Sequence, residues 1–193
     1  MRNYAWALLA GVLLAGCAGA GVPATDDPAV KLQQARQLFS ADGRPAEAER
    51  LILEAMATYR ESGDQPGLAL AHREYAYFLS TPGTDAIIAN PGSPQPPASP
   101  ERLRRALGEM REASAIYAQL GVFDRLSNTA LGEARIEHDL GDTKAACAAL
   151  ARSLAASDKQ SALNPERKPN LPPGMNSFAD LIGHFRQEYG CPP

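Results

Sequence analysis

Residues 99–121 read SPERLRRALGEMREASAIYAQLG. Within this stretch Leu103, Ala106, Leu107, Met110, Ala113 and Tyr117 recur at spacings of three and four. Side chains at those spacings share one face of an α-helix, and the other face is mostly charged or polar. Ser99 is placed to cap the N-terminus, Pro100 suits the first helical position, and Gly121 stands where the helix should stop. The stretch therefore predicts a long amphipathic helix whose buried stripe mixes alanine with larger residues.

The same stripe recurs on both sides. After Pro45 it runs Ala48, Leu51, Ile52, Ala55, Tyr59, and after Asp142 it runs Ala146, Leu150, Leu154. Gly67–Ser80 and Val122–Leu140 lie between and are also helical in pattern, with Gly63 and Gly141 as further stops. The three stripes superpose at offsets of 58 and 40 residues. Ala48, Ala106 and Ala146 then share one position, and Ala55, Ala113 and Ser153 another. Small residues there let antiparallel helices approach closely.

Gly43 and Gly141 each precede the shared alanine by five residues, and the third unit adds Leu131-Gly132-Glu133-Ala134 and Leu140-Gly141-Asp142. This pattern resembles tetratricopeptide repeats over about two-thirds of the chain, Ala29 to Ser157. The offset of 40 exceeds the usual repeat of about 34, and Glu137 stands where such repeats carry tyrosine. The resemblance implies an all-α fold: a right-handed stack of about three helix pairs, residues 29–157. The alternative is a non-repeating bundle with alanine-rich seams.

The larger offset has a location. Residues 81–99 form an insertion within the second pair, and TPGTDAIIANPGSPQPPA (81–98) holds five of the 16 prolines. Long loops inside a compact domain are uncommon and are often functional. Ile87 and Ile88 are its large apolar residues, available to anchor a partner or to tuck onto the body. Residues 158–193 read as a Pro-rich linker and a final helix. Ser177 with Asp180 makes a capping-box start, Phe178, Leu181, Ile182, Phe185 and Tyr189 make one apolar face, and Gly190 ends it. A repeat stack needs such a cap over its open end.

The N-terminus carries Arg2 and then an uncharged, mostly apolar run, Tyr4 to Gly16. A membrane-spanning helix needs roughly 20 residues, whereas a signal-peptide core needs about 7 to 15. The run closes on Leu14-Ala15-Gly16-Cys17, which resembles the lipobox of bacterial lipoproteins. The resemblance implies a leader over 1–16, diacylglyceryl transfer to the Cys17 sulfur, cleavage before Cys17 and acylation of the new terminus. Ala18, rather than Asp, follows the cysteine. In that family this favours the outer membrane, facing the periplasm. Residues 17–28 read as the lipidated cysteine and a flexible tether, of which the eleven residues after Cys17 reach at most about 40 Å. With Cys17 lipidated, Cys147 and Cys191 remain, an even number in an oxidising compartment. A disulfide would tie the C-terminus to the body, and two free buried thiols are the alternative.

A formal net charge of −3 disfavours nucleic acid as a partner, because phosphate neutralisation needs a basic patch. His72, His138 and His184 have no His or Cys three or four residues away, so no metal site or cofactor is expected and no enzymatic motif stands out. His138 lies in the densest polar cluster, Glu133…Glu137-His138-Asp139, which reads as a polar stripe, solvated or facing a groove. Arg102, Arg104, Arg105 and Arg111 gather near one helix start, where arginine forks could hold a partner's carboxylate or simply be solvated. His72, Tyr75, Tyr77, Asn128 and Arg135 lie on the first helices of their pairs, which line the groove in the resembled fold.

The expected function is binding a protein or peptide partner, as a lipid-anchored scaffold for envelope, secretion or pilus assembly, with no bond made or broken. One alternative is an immunity or inhibitor lipoprotein that blocks a toxin or enzyme through the 81–99 loop. A third is an envelope enzyme, which would need converging carboxylates or a metal.

Overall fold

The computed structural model describes residues 23–82, 97–169 and 171–192. Cys17, the leader, Ile87 and Ile88 lie outside the described residues. Among those described there are seven α-helices and no strand. They are α1 Pro28–Ser40, α2 Pro45–Ser62, α3 Gln65–Ser80, α4 Pro100–Leu120, α5 Phe123–Asp139, α6 Thr143–Leu163 and α7 Phe178–Glu188. None is long and apolar enough to cross a membrane.

Local chemistry sets the helix ends. Asp27, Asp64, Ser99, Asp142 and Ser177 each accept a hydrogen bond from a first-turn amide, satisfying donors that have no carbonyl partner within the helix. Ser177 and Asp180 form the expected capping box. Gly63 and Gly121 close α2 and α4 in the left-handed region, at φ 72° and 66°. Two boundaries differ from expectation. Helix α3 starts at Gln65 rather than Gly67, because Asp64 is the cap and Pro66 sits in the first turn. Helix α6 continues past Ser157 to Leu163, carrying its polar end out as exposed turns.

Helices α1–α2, α3–α4 and α5–α6 form three pairs, each helix packs on its chain neighbours, and α7 covers the last pair. This is the expected stack of helix pairs with a C-terminal cap. Ala48, Ala106, Ala146, Ala55, Ala113 and Ser153 are all fully buried, as expected of seam positions. In the third pair Ser127 Oγ donates to Ser153 O at 2.9 Å, and Ser153 Oγ donates to Ser127 O at 2.8 Å. Such crossed bonds need backbones close enough for a one-carbon side chain to span the gap.

The larger core joins α1 to α4 around Ile52, Phe78, Leu79 and Met110. Phe78 meets Phe39 edge-on at 5.7 Å and stacks with Tyr75 at 6.1 Å. A smaller core joins α5, α6 and α7 through Ala134, Ala146, Ala149, Leu150, Ile182 and Tyr189.

Gly67 shows how tight the seams are. A Cβ there would lie 2.3 Å from two ring carbons of Tyr59, a buried side chain. Gly67→Ala is expected to cost about 1–3 kcal/mol through this clash, despite alanine's better helix propensity. Gly132→Ala would meet only the flexible end of Met110, at 2.8 Å, and should cost less. Urea midpoints of the two variants check the ranking.

Candidate functional site

The first helices of the three pairs, α1, α3 and α5, border one depression of about 410 Å³. Helix α1 contributes Arg36, α3 contributes Arg73, Glu74 and Tyr77, and α5 contributes Asn128, Leu131, Gly132 and Arg135. Phe185 of α7 and Tyr189 just after it complete the wall. Helix α3 packs directly on α1 but stands further from α5, and this gap is the groove. The residues of α5 follow a 128, 131, 132, 135 spacing, one helix face.

Three guanidinium groups border the groove, and two of them, Arg36 and Arg73, share the carboxylate of Glu74. Glu74 is buried, and Arg36 grips it with two bonds, Nη2 to Oε1 at 2.7 Å and Nε to Oε2 at 3.1 Å. Arg73 reaches the same carboxylate only at 3.3 Å, and its own Nε is buried with no acceptor. Arg135 donates to Ser80 Oγ at 3.4 Å, a long contact. Arg73 and Arg135 lie over the Tyr77 ring, with guanidinium carbons 6.0 and 5.8 Å from its centroid. The groove is thus locally basic in a chain of net charge −3.

Of the five first-helix candidates, the structure brings Tyr77, Asn128 and Arg135 into the groove. Tyr75 and His72 point elsewhere, toward the second helices. The buried Tyr75 hydroxyl donates to Glu49 Oε1 at 2.7 Å and accepts from Arg105 Nη2 at 2.8 Å. Burial, then the bond to Glu49, pushes its pKa up to about 12. His72 Nδ1 lies 2.6 Å from Glu109 Oε2 on α4. Residues two apart on a helix do not share a face, so Tyr75 and Tyr77 could not both line the groove.

The arginine cluster of α4 is not a free patch. Arg102 is buried and donates through Nε to Leu79 O and through Nη2 to Phe78 O, both at 3.1 Å. Arg105 is engaged by Tyr75 and Arg111 by Glu137 at 2.6 Å, while Arg104 is exposed. The polar cluster of α5 also differs from a solvated stripe. Glu133 is buried against Arg152, at 2.6 Å, and Ser114; Glu137 is buried against Arg111. His138 stacks on Tyr189 at 4.1 Å, in the contact that seats the end of the cap. Among the described residues no group of three His, Cys, Asp or Glu side chains could hold a metal ion.

Cys147 and Cys191 are joined, with Cα atoms 5.6 Å apart. The bond ties the chain end beside Tyr189 to α6. Arg36, Arg73, Leu131, Phe185 and Tyr189 were not among the groove candidates. Helical spacing from Asn128 and from Tyr77 points to Leu131 and Arg73, whereas Arg36 and the cap residues depend on packing. Comparison with protein-family models, with curated proteins and with solved structures found no match.

Proposed function

We propose that this chain is a lipid-anchored helical-repeat module of the bacterial envelope, which grips a protein or peptide partner in the groove. The observation that carries the reading is that side chains from the first helix of every pair, and from the cap, meet in one open depression. Such a surface spans several elements, as an extended ligand requires, and its named groups serve contact rather than bond-breaking. The anchor reading rests on Leu14-Ala15-Gly16-Cys17, and the Cys147–Cys191 bond suits an oxidising compartment on the periplasmic side. A role in envelope, secretion or pilus assembly is the setting proposed for it, with neither enzymatic activity nor cofactor.

Two measurements test it. Cys17→Ser should abolish labelling by fatty acid and release the chain from the membrane fraction, since two or more acyl chains give stable anchoring. Membrane retention without Cys17 would count against the anchor. A photocrosslinking residue at Asn128, in the groove, should capture a partner in intact cells, and one at exposed Leu53 on α2 should not. Equal capture from both positions would remove the groove from the reading.

A further inference from the structure

We propose that the occupant of the groove is a polypeptide segment bearing Asp or Glu side chains, with one carboxylate seated at Arg73 and Arg135 beside the Tyr77 ring. The inference rests on the binding role above and names the chemistry of its ligand. Three guanidiniums border the groove beside one lining carboxylate, Glu74, which bonds Arg36 and Arg73. That carboxylate, Glu74, is held in a two-bond fork by Arg36, so Arg73 keeps a single long contact to it. The Arg73 Nε donor is buried without an acceptor, although guanidinium donors in folded proteins are normally matched. Arg135 holds only a long bond to a hydroxyl.

A carboxylate is the planar acceptor that matches two such forks, and the bond is charge-assisted on both sides. Tyr77 holds both guanidiniums near one ring, which limits their loss of freedom when a ligand arrives. Leu131, Phe185 and Tyr189 give an apolar wall beside this basic spot, fitted to the side chains that flank an acid in a peptide. A lipid headgroup would use the arginines and leave that wall without a role. Because the whole chain is acidic, the attraction is confined to the groove rather than spread over the surface.

The test uses the intact chain solubilised in detergent and a fluorescent peptide of alternating glutamate and apolar residues, beside its all-glutamine counterpart. The glutamate peptide is expected to bind about tenfold more tightly, with affinity falling as salt rises. Arg135→Gln, an exposed change that leaves Glu74 and Arg36 untouched, should erase most of that preference. Arg73→Gln should do the same, provided its circular dichroism matches the parent. Equal affinity for the two peptides, with Asn128 crosslinking intact, would overturn the acidic ligand and leave the binding role standing. No binding of either peptide together with no capture from Asn128 would overturn both. Arginine-dependent binding to phosphatidylglycerol vesicles without binding of the glutamate peptide would also overturn it, in favour of lipid.

Discussion

Replacing both Cys147 and Cys191 by serine is expected to remove about 4 kcal/mol of stability and to dismantle one wall of the groove. The bond closes a separation of 44 residues, so its loss restores a large loop entropy to the unfolded chain. Helix α7 has 11 residues, and its buried contacts to the body are few: Leu181 and Ile182, with Tyr189 just beyond its end. An isolated helix of fewer than about 12–15 residues is marginal in water. Without the bond, Phe185 and Tyr189 lose the element that holds them over α5. For a body of this size the melting midpoint should fall by about 8–16 °C. Reductant should reproduce the fall in the parent, and amide exchange should rise first in α7. A midpoint unchanged by reductant would refute this account.

Arg102→Ala is expected to cost about 3 kcal/mol, although a surface arginine changed to alanine ordinarily costs under about 0.5 kcal/mol. The guanidinium caps the C-terminal end of α3, where the last carbonyls lack partners within the helix. It also lies over the Phe78 ring, 5.1 Å from its centroid. Alanine takes the guanidinium donor from Leu79 O, leaves Phe78 O with only the Thr81 amide at 3.3 Å, and opens space beside the largest fully buried side chain, Phe78. Arg102→Lys should recover only part of the loss, because an ammonium cannot serve two carbonyls with a planar fork. Arg104→Ala, two residues away and exposed, is the control and should stay within about 0.5 kcal/mol of the parent in guanidinium unfolding.

The helices were legible because their signals are local. Caps such as Ser99 and Ser177, stops such as Gly121, and the alanine seam each depend on residues within a few turns. The pairing also followed, since short turns force antiparallel neighbours. The groove was half legible. Tyr77, Asn128 and Arg135 were placed on the right helices, but Tyr75 and His72 sit about 200° and 140° around α3 from Tyr77 and face other helices. The α4 arginines looked like a patch because they are close in sequence. Their partners, the end of α3 with Tyr75 and then Glu137, are 23 to 30 residues away and reach them only through packing. Arg36 and Arg73 carry no sequence signal that links them. What unites them is Glu74, buried between two helices.

The crossed serine bonds of the third pair have a mechanical meaning. Ser127 and Ser153 each hold the other's carbonyl, so α5 and α6 cannot slide past one another by even one residue without breaking both. The pair behaves as a rigid plank, and across the groove it reaches α3 through the long Arg135 side chain, over the Tyr77 ring and 3.4 Å from Ser80 Oγ. Width there can adjust to a guest while the planks themselves keep their shape.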